Sequence, residues 1–150
     1  MFAGSAIVDE IEAVGKETVY LILITDGSGS KVFDNKRYIN LKHEQKVALR
    51  NNEFKAAVSR LGLDLSNVVF LNQPESSINN KFIKETTLYF ENTFENVTHI
   101  THSYNYRYEI HEQHLATGNL INNLYTINYL VIVDSLQGKI KFQALPLRIL

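Results

Sequence analysis

The chain has 150 residues, with 15 Lys and Arg against 16 Asp and Glu, for a formal net charge of −1. That balance gives no electrostatic ground for a nucleic-acid or anionic-membrane partner, and the length suits one domain burying roughly 70% of its unfolded surface. There is no cysteine, which excludes disulfides, zinc–thiolate sites and cysteine nucleophiles. No apolar run reaches the roughly 18 residues of a membrane span, and no basic region followed by an apolar one opens the chain. A cytoplasmic location is the expectation.

Phe2 to Val14 reads as an amphipathic helix: Ala3, Ile7, Ile11 and Val14 recur at helical spacing, and Gly15 suits its stop. Thr18 to Thr25 is a continuous β-prone run of the kind normally covered on both faces in a parallel sheet. Asp26-Gly27-Ser28-Gly29-Ser30 breaks the chain at its carboxyl end. Leu41 to Leu61 is the strongest helix, closed by Gly62, and Asn67 to Leu71 is a short buried strand followed by Pro74. Ser76 to Phe94 reads as a third helix with Ile78, Phe82, Tyr89 and Phe90 towards the core. Val97 to His102 is the next strand, and His111 to about Ile127 the fourth helix. Tyr129 to Val133 and Lys139 to Phe142 are two strands joined by a hairpin turn at Ser135 to Gly138.

This alternation predicts an α/β fold, Rossmann-like, with a mostly parallel sheet and helices on both faces. The chain opens on a helix where such a unit opens on a strand. The first strand therefore looks missing, and sequence upstream of Met1 is expected. An edge left open beside the first helix would invite association of copies into a homo-oligomer.

Ligands of open α/β sheets bind beyond the carboxyl ends of the strands. Asp26, the loop after Leu71, and the segment from His102 to His111 all fall there. Residues 98–114 hold four of the five histidines. At 100° per residue, His111, His114, Gly118, Ile121 and Tyr125 share one stripe of the fourth helix, so two imidazoles at its first turn can converge on one ion or one substrate. Two polar residues finishing a surface helix are the plainer alternative. Arg50 interrupts an apolar face made by Val47, Phe54, Ala57, Val58 and Leu61, and must either pair, with Glu53, or reach a polar site. Asp26 could orient a histidine, touch a ligand, or cap its own turn. Tyr104, Tyr106 and Tyr108 could stack on a sugar ring or pack on their own fold. The Gly-Ser run matches no phosphate-binding motif. His43, on an exposed helix start, receives no role, and His99 and His102 read as strand-end residues.

Taken in order, Thr25-Asp26-Gly27, Arg50-x-x-Glu53 with Ala57 and Leu61-Gly62, Val69-Phe70-Leu71 with Pro74, Thr101-His102 and His111-x-x-His114 resemble the zinc-dependent de-N-acetylases of the N-acetylglucosaminyl-phosphatidylinositol type, the LmbE-like family. The likeness runs over about residues 1–125 and implies one such domain across the chain. It implies hydrolysis of an N-acetyl group from an N-acetylglucosamine-containing substrate, with Zn2+ or another divalent metal as cofactor. It carries a metal-ligand role to His114 and a role in protonating the leaving amine or stabilising the oxyanion to His111. Arg50 and Asp26 receive substrate-side roles, and Tyr106 joins them as a sugar-stacking candidate.

The chain departs from the family in two places. The His-Pro-Asp-Asp-Glu signature, which supplies two metal ligands and the aspartate base, is absent from these residues. It belongs at the end of the first strand, the same place where the topology expects one. Glu112-Gln113 stands where the family has Pro-Asp between the histidines. Residues 1–150 alone are therefore expected to show little or no activity. A diverged, non-catalytic glycan-binding relative is the alternative, and a generic nucleotide-binding α/β domain is a third.

Overall fold

The computed structural model describes residues 3–105, 111–124, 129–134 and 139–143, with side chains described at 7–105 and 111–124. Two compact units account for them: residues 7–79, and residues 80–150 together with 1–6.

The unit of residues 7–79 takes in helix α1 (Ala3–Val14) from Ile7 onward, which leads through Gly15, at φ +88°, to strand β1 (Leu21–Thr25). β1 lies parallel to β2 (Val68–Gln73), with Leu21 opposite Val68, Ile22 opposite Val69 and Leu23 opposite Phe70. The register then slips, so that Thr25 faces Gln73. The extra residue falls on β2, where Asn72 has φ +46°; asparagine is among the few residues that enter left-handed backbone at low cost. Helix α2 (His43–Arg60) connects the strands. Gln45 reaches back so that its Oε1 accepts the Lys42 N–H at 2.9 Å, half of a capping box.

The carboxyl end of α2 is a Schellman turn. Gly62, at φ +77°, donates to Ser59 O at 3.1 Å and Leu63 donates to Val58 O at 3.3 Å. Val58 and Leu63, the apolar pair that accompanies such a turn, are both buried and with Phe33 form this unit's core. Phe54 of α2 meets Phe70 of β2 edge to face, with centroids 5.9 Å apart. Asn67 ties the entry to β1 down through its side-chain Nδ2, which donates to Lys16, Glu17 and Val19 carbonyls at 3.2–3.3 Å.

Just before it, Asp64 caps the 3-10 turn Leu65–Asn67, its Oδ1 accepting the Ser66 N–H at 2.8 Å. That backbone hydrogen bond, then the Ser66 hydroxyl, hold the Asp64 carboxyl below its ordinary value of 3.8. The stability this cap contributes is fully present above that ordinary value and is lost as pH falls through the lowered one. A carbon-13 titration of Asp64 should show a midpoint below 3.8; a midpoint at or above it would mean the cap is not formed in solution.

In the unit containing residues 80–150, α3 (Asn80–Thr93) precedes β3 (Thr98–His102), and α4 (Glu112–Asn122) precedes β4 (Tyr129–Asp134) and β5 (Lys139–Gln143). β3 lies parallel to β4, from Thr98 opposite Tyr129 to His102 opposite Val133, and β4 pairs antiparallel with β5. Ile83, Phe90 and Leu115 are its buried apolar residues among those whose side chains are described. The chain of α3 turns into β3 through a buried pair, His99 Nε2 to Glu91 Oε1 at 2.8 Å, with side chains 11% and 7% exposed.

The element order is the one predicted, and the class is mixed helix and strand with parallel pairing. Several particulars differ. β1 is not covered on both faces, since Ile22 is 36% exposed. On α3 the buried stripe is Ile83, Thr87 and Phe90, and the predicted core residues Phe82 and Tyr89 are 51% and 61% exposed. Ala57 of α2 is exposed as well. The third helix starts four residues late, after a 3-10 turn at Glu75–Ser77. The hairpin turn at Ser135 to Gly138, Tyr106, Tyr108 and Tyr125 lie outside the described residues.

Candidate functional site

Asp26 follows β1 directly and is 2% exposed. Its backbone N–H continues the ladder to Gln73 O at 2.9 Å, and its Oδ1 accepts the Ser28 N–H at 2.9 Å. This turn-capping bond is one of the three uses the sequence allows for Asp26. Its Oδ2 stands 3.6 Å from Nε2 of His43, at the first turn of α2. His43 is 58% exposed, so a buried carboxylate faces a solvent-accessible imidazole. His43 reads from sequence as an exposed helix start without a role, because no motif links it to Asp26; only the fold brings the two together across the intervening loop.

Arg50, one helix stretch further, is 40% exposed rather than sealed in an apolar face, and its guanidinium pairs with Glu53. Its stem also crosses Gly27. A Cβ built on Gly27 would stand 3.1 Å from Arg50 Cγ and 3.2 Å from Nε, and Gly27 holds φ +67°. Glycine is required there twice over, by the left-handed backbone and by the passing arginine. Arg50 thus pairs with Glu53, the first of its two readings, while its stem passes the strand-end loop at Gly27. Gln73 completes this strand end. It is 5% exposed, its Oε1 accepts the Asn79 N–H, and its Nε2 has no hydrogen-bond partner among the described residues.

The histidine cluster lies in the other unit. His111 occupies the N-cap position of α4, its carbonyl accepting the Leu115 N–H at 3.0 Å, and His114 follows in the first turn. The rings of these two are 4.5 Å apart and tilted by 30°, as their shared stripe predicted. His102, at the end of β3, joins them: its ring lies on that of His114 with centroids 3.7 Å apart and planes 3° from parallel. The approach is possible because the next residue down the stripe is Gly118, which has no side chain. A Cβ there would overlap the His102 carbonyl oxygen and come within 3.0 Å of the Ser103 carbonyl carbon.

The arrangement bears on metal binding. An imidazole ligates through a nitrogen lone pair in the plane of its ring, at about 2.0–2.1 Å. Two parallel, stacked planes share no point, so His102 and His114 as placed cannot hold one ion between them. No group of three or more His, Asp or Glu side chains among the described residues is arranged to hold a metal ion. His114 has ligand chemistry, but a complete metal site is not built from these residues alone.

His99, which reads from sequence as a strand-end residue, is committed to Glu91. Tyr106 lies outside the described residues; its neighbour Tyr104 is half-buried. No helix among the described residues is long and apolar enough to cross a membrane.

No curated protein and no solved structure matches the chain. A family model, that of the GlcNAc-PI de-N-acetylases, does match, over residues 1–125. That span takes in Asp26, Arg50, the His102–His114 stack and the whole of α4, and the chain belongs to the GlcNAc-PI de-N-acetylase family.

Proposed function

We propose that the protein serves the hydrolysis of the N-acetyl amide of an N-acetylglucosamine-containing substrate, in a Rossmann-like domain and in the metal-dependent manner that the family resemblance implies. The observation that carries this reading is the pair His111 and His114 at the first turn of α4, within the span that the family model matches.

Amide hydrolysis needs a proton delivered to a poor leaving group, and a positioned imidazole is the commonest donor. His111, exposed at the N-cap and beside His114, is assigned that role. His114 is assigned as a metal ligand, zinc being the metal the family suggests. Arg50 and Asp26 are assigned to the substrate side, with hydrogen-bonding groups suited to a sugar's hydroxyls, and Tyr106 to stacking on the sugar ring. Three protein ligands are usual for a catalytic zinc, so one assigned ligand implies weak retention by residues 1–150 alone.

The test, made on the protein completed with the upstream segment the sequence leads one to expect, is primary-amine release from an N-acetylglucosamine conjugate in the presence of zinc, with zinc content measured alongside. His111→Ala should lower the rate by about 10²–10⁴ with zinc content unchanged, and His114→Ala should lower zinc content itself. Equal zinc content in the wild type and His114→Ala would end the ligand assignment. The second reading, a glycan-binding relative without catalysis, is favoured by Gln113, a neutral amide where the family carries an aspartate. Glycan binding without amine release would select it.

A further inference from the structure

His102 ends a strand, lies outside the His-x-x-His motif, and has received no task so far. Its two contacts with α4 are of different kinds. Through its backbone, the carbonyl group packs against the bare Cα of Gly118, one helical turn beyond His114. Through its side chain, the imidazole lies flat on the ring of His114, 3.7 Å between centroids and 3° between planes. The first contact sets how closely the helix approaches the strand end. The second removes the freedom of the His114 ring to turn about its χ2 bond, a torsion with broad, soft minima in histidine.

Stacking engages a ring through its faces, not through its plane. In-plane lone pairs are what a metal or a proton uses, and the stack does not cover them. A group that orients a ligand in this way is a supporting partner of the kind that tunes metal sites without entering them. Thr101 and Ser103, on either side of His102, are buried at 7% and 1% exposure. The platform beneath the His114 ring is therefore flanked by buried residues of the strand end.

We propose that His102 is a positioning residue, which sets the ring plane of His114 by face-to-face stacking and is not itself a ligand. The use of that plane rests on the reading of His114 as a metal ligand; the stacking does not.

Two variants separate ring from bulk and from nitrogen. His102→Phe keeps a flat ring without ligating atoms, and His102→Leu keeps apolar volume without a ring. In the metal-free protein, proton NMR of the His114 Hδ2 and Hε1 resonances reads the stack directly. Ring-current shielding should hold them upfield in the wild type and in His102→Phe, and release them downfield in His102→Leu. Unchanged resonances in His102→Leu would overturn the proposal.

Calorimetric titration with zinc alone supplies the second readout. His102→Leu should weaken zinc binding by about 10–100-fold, while His102→Phe should stay near the wild type. Equal losses in the two variants would show that the nitrogens of His102 matter, and would overturn the positioning role. If the completed protein binds zinc in neither variant nor wild type, the ligand reading of His114 fails, while the resonance comparison still decides the stack.

Discussion

Gly118→Ala should destabilise the protein by about 3 kcal/mol, although alanine is ordinarily the better helix former by about 1 kcal/mol. The two effects oppose each other, and the geometry decides which wins. A methyl group at this position would overlap the His102 carbonyl oxygen and crowd the Ser103 carbonyl carbon. Those are backbone atoms of a strand end, flanked by buried Thr101 and Ser103, and they cannot swing away as a side-chain tip can. Helix α4 would have to move off β3, taking His111 and His114 with it. Urea denaturation of the variant and of a control, Asn119→Ala on the exposed face of the same helix, checks the prediction. The control should be neutral or slightly stabilised. A Gly118→Ala protein as stable as the wild type would show that helix and strand do not approach this closely.

The second large effect is expected at the His99–Glu91 pair. Both side chains are nearly sealed from water, at 11% and 7% exposure, and their contact is 2.8 Å. Removing one partner by Glu91→Ala should cost about 3 kcal/mol, because it leaves the other polar group buried without compensation. Replacing both by apolar groups of similar size, as in Glu91→Leu with His99→Phe, should recover most of that loss. Thermal or chemical unfolding of the single and double variants measures the difference. A double variant as damaged as the single one would mean that the pair has further partners and is not the closed unit it resembles. The exposed pair Lys81–Glu85, with side chains 73% and 56% exposed, offers the contrast: its loss should be nearly silent.

Much of this was readable from residue order. Gly62 marked the end of α2 because the Schellman turn needs left-handed backbone at that position, and the turn is there with both of its hydrogen bonds. The helical stripe of His111, His114 and Gly118 needed only the 100° rotation per residue. The family was legible because short pieces came in the right order, and the family model matches over the same residues.

The failures have physical causes. On α3 the large apolar residues Phe82 and Tyr89 drew the predicted core to the wrong face. The true stripe runs through Thr87, whose hydroxyl is satisfied locally by the Ile83 carbonyl at 2.9 Å. A threonine that hides its own polarity in this way leaves no mark in a hydrophobic pattern. The partnership of His43 with Asp26 and the stacking of His102 on His114 depend on distances that no spacing rule encodes.

The slip between β1 and β2 has a consequence for how this strand end tolerates change in length. Up to Leu23 and Phe70 the paired residues differ by 47 in number; at Thr25 and Gln73 they differ by 48. Asn72 is thus a phase shifter, which brings Gln73 rather than its neighbour level with Thr25 and delivers its carbonyl to Asp26. The loops that leave this edge can gain or lose residues at modest entropic cost. The four residues from Phe70 to Gln73 cannot, because one deletion would remove the slip at the left-handed Asn72 and change the path that delivers the Gln73 carbonyl to Asp26. The least adjustable stretch of the strand end is therefore the irregular one.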